Sequence, residues 1–231
     1  MIPVAGPRRD DARRIAEFAS LVAHELRNPL AIAKARIELA GRAAGPPPAG
    51  GHMAKALEAV HAAIEILERL ELFARAEAGW LEASHEPFDV AAVAAASVER
   101  VRAQGSERRV GVTVVGRTLA IGDRLLAEQA ITNLLTNADR YSEPDAAIEV
   151  SIGGGDDGVE LRVADGGPGI ADELVDVLFR ERVTSARGLG LGLYLVHAAM
   201  QAQGGSVQLE ARRPGAVFLL HWPIAPEAAG A

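Results

Sequence analysis

The chain has 231 residues, 49% of them hydrophobic and 24% charged, a balance that excludes disorder and leaves enough apolar mass for one large core or two modest ones. Its 24 Lys and Arg against 31 Asp and Glu give a formal net charge of -7, which excludes a chain-wide attraction for nucleic acid or anionic lipid. There is no cysteine, so disulfides and thiolate metal sites are excluded and a reducing compartment is permitted. The longest apolar run, "VAAVAAAS" from Val90, falls far short of the roughly 20 residues that span a bilayer. The opening "MIPVAGPRRDDARR" lacks the apolar core of a secretory signal. The expected location is therefore cytoplasmic, as a free protein or as the cytoplasmic portion of a larger one.

From residue 10 to about 43, apolar residues recur at spacings of three and four: Ile15, Phe18, Val22, Leu26, Leu30, Ala33, Ile37 and Ala40. That period predicts one long amphipathic helix. The segment "GRAAGPPPAGG" breaks it, and Met53, Leu57, Val60, Ile64, Leu67, Leu70 and Ala74 then mark a second helix to about residue 78. The two form a helical hairpin. Such a hairpin cannot bury an apolar stripe on both members alone, so two copies are expected to meet as a four-helix bundle, a homodimer. The alternative is that the stripe packs on the rest of its own chain.

After "GWLEASHEPFD" the pattern changes. A helix is predicted in "VAAVAAASVERVRAQG", short strands in "VGVTVVG" and "TLAIGD", and a further helix in "RLLAEQAITNLLTNADRYS". "AIEVSIGGG" and "GVELRVADG" read as a β-hairpin about a glycine-rich turn. "ADELVDVLF" reads as a short helix, "LGLYLVHAAMQAQGG" as a longer one, and "SVQLEAR" with "AVFLLHWPI" as a final strand pair. The fold class expected is thus multi-domain, a helical hairpin over residues 10–79, a linker over 80–87 and an α+β layer sandwich over 88–225.

Three stretches of the second domain carry unusual chemistry. Asn133 and Asn137 lie four apart and share a helical face. Their amide oxygens suit a hydrated magnesium ion whose charge is balanced by phosphates, and a plain solvated face is the alternative. Asp165 ends a strand before Gly166, Gly167 and Gly169, where glycine permits close approach to a ligand and the carboxylate can accept from an exocyclic amine. A simple Asp-Gly turn would look alike. Gly188, Gly190 and Gly192 run into an apolar helix, and free N–H groups at a helix start form a phosphate site.

In this order and spacing the three stretches resemble the ATP-binding (Bergerat-type) domain shared by bacterial sensor histidine kinases, DNA gyrase and the heat-shock chaperone ATPases. "NLLTNADRYS" matches the N box, "DGGPGI" the G1 box and "GLGLGL" the G2 box. The resemblance implies that Asp165 binds the adenine amine, that Asn137 ligates Mg2+ with Asn133 close by, and that Tyr141 packs near the base. It further implies phosphate contacts from Arg140 and Arg187, and a pocket and lid shaped by Gly167, Gly169, Gly188, Gly190 and Gly192. The lid is the short "RERVTSAR". Two departures stand out: Gly166 replaces the usual asparagine, and Arg182 stands where a second aromatic follows Phe179.

Upstream, "HELRNPL" resembles the H box of sensor histidine kinases and sits on the first helix of the hairpin. The resemblance implies a homodimer in which ATP and Mg2+ serve the second domain, His24 receives the γ-phosphoryl group, and an aspartate of a response regulator takes it onward. Glu25 then fixes the imidazole tautomer and stabilises developing positive charge. Asn28, one helical turn after His24, positions water for the phosphatase step. The alternatives are an ATP-binding regulatory or phosphotransfer module whose altered boxes have lost catalysis, and a conformational ATPase, which leaves "HELRNPL" unexplained. Pro29 removes the N–H that would bond to the Glu25 carbonyl and crowds that carbonyl, so the helix is expected to bend and weaken one turn beyond His24. Pro29→Ala is expected to shift the ratio of autokinase to regulator-phosphatase activity at least about twofold, the scale of a fraction of a kcal/mol; equal ratios in the two proteins count against a working role for the weakened turn.

Overall fold

The spacing of three and four resolves into α1 (Arg9–Arg42) and α2 (Ala49–Glu77). The structure is a computed structural model that describes residues 9–42, 49–179, 190–211 and 214–224. The chain divides into two units, one helical and reaching Leu72, the other taking up the chain at Phe73. In the first, α1 runs through Pro29 without interruption. Among the described residues, what this hairpin buries is mostly small: Ala33 on α1 and Ala56, Ala59 and Ala63 on α2 are each at most 8% exposed, with Leu72 the one large side chain beside them. Arg36 Nη1 lies 3.4 Å from His52 Nδ1 and links the two helices. The large apolar side chains Leu30, Ile37, Leu57, Ile64 and Leu67 remain exposed in the single chain, as expected for a hairpin that cannot cover its own stripe.

The second unit is an α+β sandwich. Its elements are β1 (Glu86–Asp89), α3 (Val90–Ala103), β2 (Val110–Gly116), β3 (Leu119–Gly122), α4 (Arg124–Tyr141), β4 (Ile148–Gly154), β5 (Val159–Ala164), α5 (Asp172–Val175), α6 (Gly192–Ala202), β6 (Ser206–Ala211) and β7 (Ala216–Trp222). One sheet has the order β2-β4-β5-β7-β6 and a second pairs β1 with β3. β4 and β5 alternate buried and exposed residues, the period-two signal of a sheet with one face on a core. Ile148, Val150, Ile152, Val159, Leu161 and Val163 form that face, and Ile131, Leu134, Leu135, Leu195, Val196 and Met200 of α4 and α6 meet it from the helical layer. Each such side chain contributes about 2 kcal/mol when fully buried.

Three features differ from the sequence reading or extend it. β2 pairs with β4 in parallel, with α4 in the crossover between them. β1 forms within the stretch read as linker and domain start: Phe88 pairs with Ala120, is buried, and meets Trp222 edge-on at 6.0 Å. The expected helix in "ADELVDVLF" is only Asp172–Val175. Ala171 at its N-cap offers no side-chain acceptor, and beyond it Leu178 is buried while Phe179 packs on Phe218 and His197. Docking of these two side chains replaces the helical turns.

The last turn of α2 belongs to the second unit. Phe73 meets Tyr194 of α6 edge-on at 5.3 Å, and the Tyr194 hydroxyl donates to Glu77 Oε1 at 2.5 Å. Burial first, and then Glu77, push the Tyr194 hydroxyl up to about 12.

Gln203, fully buried after α6, ties three elements together. Its Oε1 accepts from the Asp123 N–H at 3.1 Å and from Trp222 Nε1 at 3.0 Å, while its Nε2 donates to the Ala199 carbonyl at 3.0 Å. Gln203→Met keeps the volume but strands the buried Trp222 donor and the half-buried Asp123 N–H, so urea unfolding should show a loss of about 2–4 kcal/mol. A loss under about 0.5 kcal/mol, the scale of an ordinary surface change, would contradict this account of the junction.

Candidate functional site

The site is built on α4. Its N-cap, Asp123, accepts from Leu125 N at 2.9 Å and Leu126 N at 3.1 Å through Oδ1, and from Ser84 N at 3.1 Å through Oδ2. Burial alone would push this carboxyl up, but the N–H donors of Ser84, Leu126 and Leu125 together outweigh it and hold it below the usual carboxylate range. A helix so capped starts at a fixed residue, and that fixes the phase of Asn133 and Asn137.

Asn133 is 4% exposed, and its Nδ2 has no hydrogen-bond partner among the described residues. An orphan donor of this kind costs about 1–3 kcal/mol unless a ligand or water meets it. Asn137, one turn on, faces the start of α6: a Cβ on Gly192 would lie 3.5 Å from its Nδ2 and 3.6 Å from its Oδ1. The glycine keeps that gap open at the amide. The unmet Asn133 donor fits a phosphate oxygen or an ordered water, and the Asn137 amide oxygen beside Gly192 fits a hydrated magnesium ion carrying those phosphates.

Asp165 follows β5 and is held by β7: its N–H donates to the Ala216 carbonyl at 3.0 Å. Its Oδ1 accepts from Gly167 N at 2.9 Å and Ala216 N at 3.1 Å. Oδ2 has no protein donor among the described residues and is the acceptor left for an amine. Gly167 is where the G1 segment passes closest to α4: a Cβ there would fall 2.6 Å from the Tyr141 carbonyl oxygen. Gly169 and Gly190 hold φ of +80° and +68°, the left-handed region that favours glycine.

Asn133, Asn137, Arg140 and Tyr141 thus share α4, Gly192 stands against Asn137, and Asp165 with Gly167 stands against the end of that helix. Tyr141 is 39% exposed. Arg187, Gly188 and Arg182 lie outside the described residues. In the first unit α1 carries His24, Glu25 and Asn28. Asn28 is exposed, and the side chains of His24 and Glu25 lie outside the described set. Sequence reading missed two contributors: Ala216, whose N–H orients Asp165, and Ser142, whose hydroxyl accepts from Gly166 N at 3.3 Å. Neither carried a local signal, because each acts across the sheet or across a loop.

A nucleotide site of this order on an α+β sandwich, behind a helical hairpin bearing a histidine, defines the class, and comparison with known proteins agrees. Residues 14–79 match the "His Kinase A (phospho-acceptor) domain" model, and residues 122–226 match that of the "Histidine kinase-, DNA gyrase B-, and HSP90-like ATPase". "Signal transduction histidine-protein kinase/phosphatase MprB" of Mycobacterium ulcerans is 35% identical over 219 residues, covering 89% of this chain and 42% of that protein. The solved "Mycobacterial sensor histidine kinase MprB" is 33% identical with a TM-score of 0.56 and covers 62% of this chain and 99% of that one. The structure titled "ShkA full-length in complex with AMPPNP" is 27% identical with a TM-score of 0.66, covering 93% of this chain and 47% of that one. The chain belongs to the two-component sensor histidine kinase family, whose catalytic core it contains. It spans less than half the length of the full-length mycobacterial relative. Among the described residues no helix is long and apolar enough to cross a membrane.

Asp165→Asn keeps an oxygen for the Gly167 and Ala216 N–H groups but turns Oδ2 into a donor. It should weaken adenine-nucleotide binding about 10- to 100-fold, the loss of one hydrogen bond to a charged group, with little change in melting temperature. Titration calorimetry that finds equal affinity for both proteins would remove Asp165 from the site.

Proposed function

We propose that this chain is the catalytic core of a sensor histidine kinase, which autophosphorylates His24 from ATP and passes the phosphoryl group to an aspartate of a response-regulator receiver domain. The observation that carries the reading is the order of the two family matches, a phospho-acceptor hairpin bearing His24 followed by an ATPase-type site. In this reading residues 10–79 are the dimerisation and phosphotransfer hairpin, 80–87 the linker and 88–225 the ATP-binding domain. The exposed apolar stripe of α1 and α2 supports a homodimeric four-helix bundle. The core belongs to the cytoplasmic portion of a larger sensor.

In the ATP domain Asp165 Oδ2 accepts from the adenine amine and Tyr141 packs near the base. Arg140 contacts phosphate, and so does Arg187 beside the glycines 188, 190 and 192. Asn137 and Asn133 hold Mg2+, which when bound neutralises charge on the phosphates. A ring nitrogen of neutral His24 attacks the γ-phosphorus, the bond from that phosphorus to the β,γ-bridging oxygen breaks, and ADP leaves. Glu25 accepts the proton on the other ring nitrogen as a hydrogen bond and steadies the positive imidazole. Transfer to the regulator's aspartate regenerates His24, and Asn28 positions water when the phosphorylated regulator is hydrolysed. The mycobacterial relative is itself named a kinase/phosphatase, which supports this phosphatase step.

Incubation of the protein with magnesium and γ-labelled ATP should give an acid-labile, alkali-stable label, absent from His24→Ala although the variant binds nucleotide with wild-type affinity. Label that survives in His24→Ala, or that forms only when a phosphorylated donor protein is supplied, would overturn the autokinase reading.

A further inference from the structure

We propose that Arg108, outside every nucleotide box, is a positioning residue of the ATP site, and that Gly166 is the counterpart its loop requires; this rests on the nucleotide reading above. Arg108 precedes β2, and its side chain is only 12% exposed. Its Nε donates to Asp139 Oδ1 at 3.0 Å, and Ser106 Oγ donates to the same oxygen at 2.8 Å. Nη2 reaches the carbonyls of Asp139 at 3.0 Å and Ser142 at 3.5 Å. Nη1 reaches those of Glu143 at 2.5 Å, Ala146 at 3.0 Å and Pro144 at 3.3 Å. The last carbonyls of a helix have no partner within it. Here one planar cation supplies a partner for the Asp139 carbonyl in the last turn of α4 and for four of the five carbonyls of residues 142–146, with a geometry only a guanidinium offers.

That turn is the seat of the G1 segment. Glu143 N donates to the Gly166 carbonyl at 3.4 Å, and Gly166 N donates to Ser142 Oγ at 3.3 Å. A Cβ at 166 would fall 2.5 Å from the Ala146 Cβ, closer than two side-chain carbons approach. The backbone at Gly166 is not in the left-handed region, so the contact with Ala146, and not φ, demands glycine there. The departure from asparagine noted in the sequence is thus a fit to a clamped loop. Arg108 sets the rim on which Asp165, Gly167 and Tyr141 converge before nucleotide arrives. Its loss then acts on nucleotide binding more than on phosphoryl transfer.

The test measures KM for Mg-ATP and kcat of autophosphorylation on the full chain, with melting temperature beside them. Arg108→Gln should raise KM about tenfold with kcat within about twofold, and Arg108→Lys, which keeps charge but not the fork, should fall between. Gly166→Ala leaves Arg108 intact and should raise KM by about the same factor, and adding Ala146→Gly should return it to within about twofold of wild type. This pair decides the matter should Arg108→Gln fail to fold. An unchanged KM in folded Arg108→Gln, a Gly166→Ala protein with wild-type KM, or a KM that Ala146→Gly does not restore would each overturn the proposal. A wild-type chain that does not bind ATP overturns the nucleotide site itself.

Discussion

Helix α4 is the constraint on which the rest of the second unit depends, because it is held at both ends by ion-assisted hydrogen bonds. Asp123 caps its first turn, and the Arg108 guanidinium meets the Asp139 carbonyl in its last and the Ser142 carbonyl at its C-cap. Between them the helix cannot slide or rotate without breaking several charged contacts, each worth about 1.5–3 kcal/mol. The direction of Asn133 and Asn137 follows from that fixed phase. Gly192 and Gly167 then approach α4 within contact distance from two other segments. The site is the place where α4, the end of β5 and the start of α6 come together, and α4 is the member common to each contact.

Electrostatics and packing divide the labour. The apolar layer of Ile131, Leu134 and Leu135 presses α4 onto the sheet, supplying most of the stabilisation without choosing a direction along the helix axis. The polar contacts at Asp123, Gln203 and Arg108 add direction. They share members: Asp123 N donates to Gln203 Oε1 while the Asp123 carboxylate caps α4. Among its described residues the first unit shows the opposite economy, with mostly alanines buried and Leu30, Ile37, Leu57, Ile64 and Leu67 left outside. The second unit buries its apolar face within a single chain; the exposed stripe of the first is what the proposed dimer would cover.

How much of this the sequence disclosed depends on how local each cause is. The hairpin was legible because apolar spacing of three and four is a property of one helix at a time. The glycine segments and the asparagine pair were legible because ligand-binding backbone needs glycine and one helical face needs a spacing of four. β1 was missed, since four residues containing Pro87 become a strand only by pairing with β3. The early end of α5 was missed because Leu178 and Phe179 answer to the core rather than to helical period. Arg108 carries no local signal, because the acceptors of its side chain lie 31 to 38 residues away in the chain. Gly166 looked like damage to a motif until Ala146 was seen beside it.

The central claim is that the nucleotide rim is set by the fold and not by the ligand. Hydrogen exchange of the full chain, read peptide by peptide with and without a magnesium-bound, non-hydrolysable ATP analogue, tests it directly. The account predicts that the last turn of α4 and residues 142–146 are already protected without nucleotide and change little on adding it, while protection rises around Asp165 and Gly167. A last turn of α4 that exchanges like an open loop until nucleotide is added would contradict it, and would make the ligand the builder of the site.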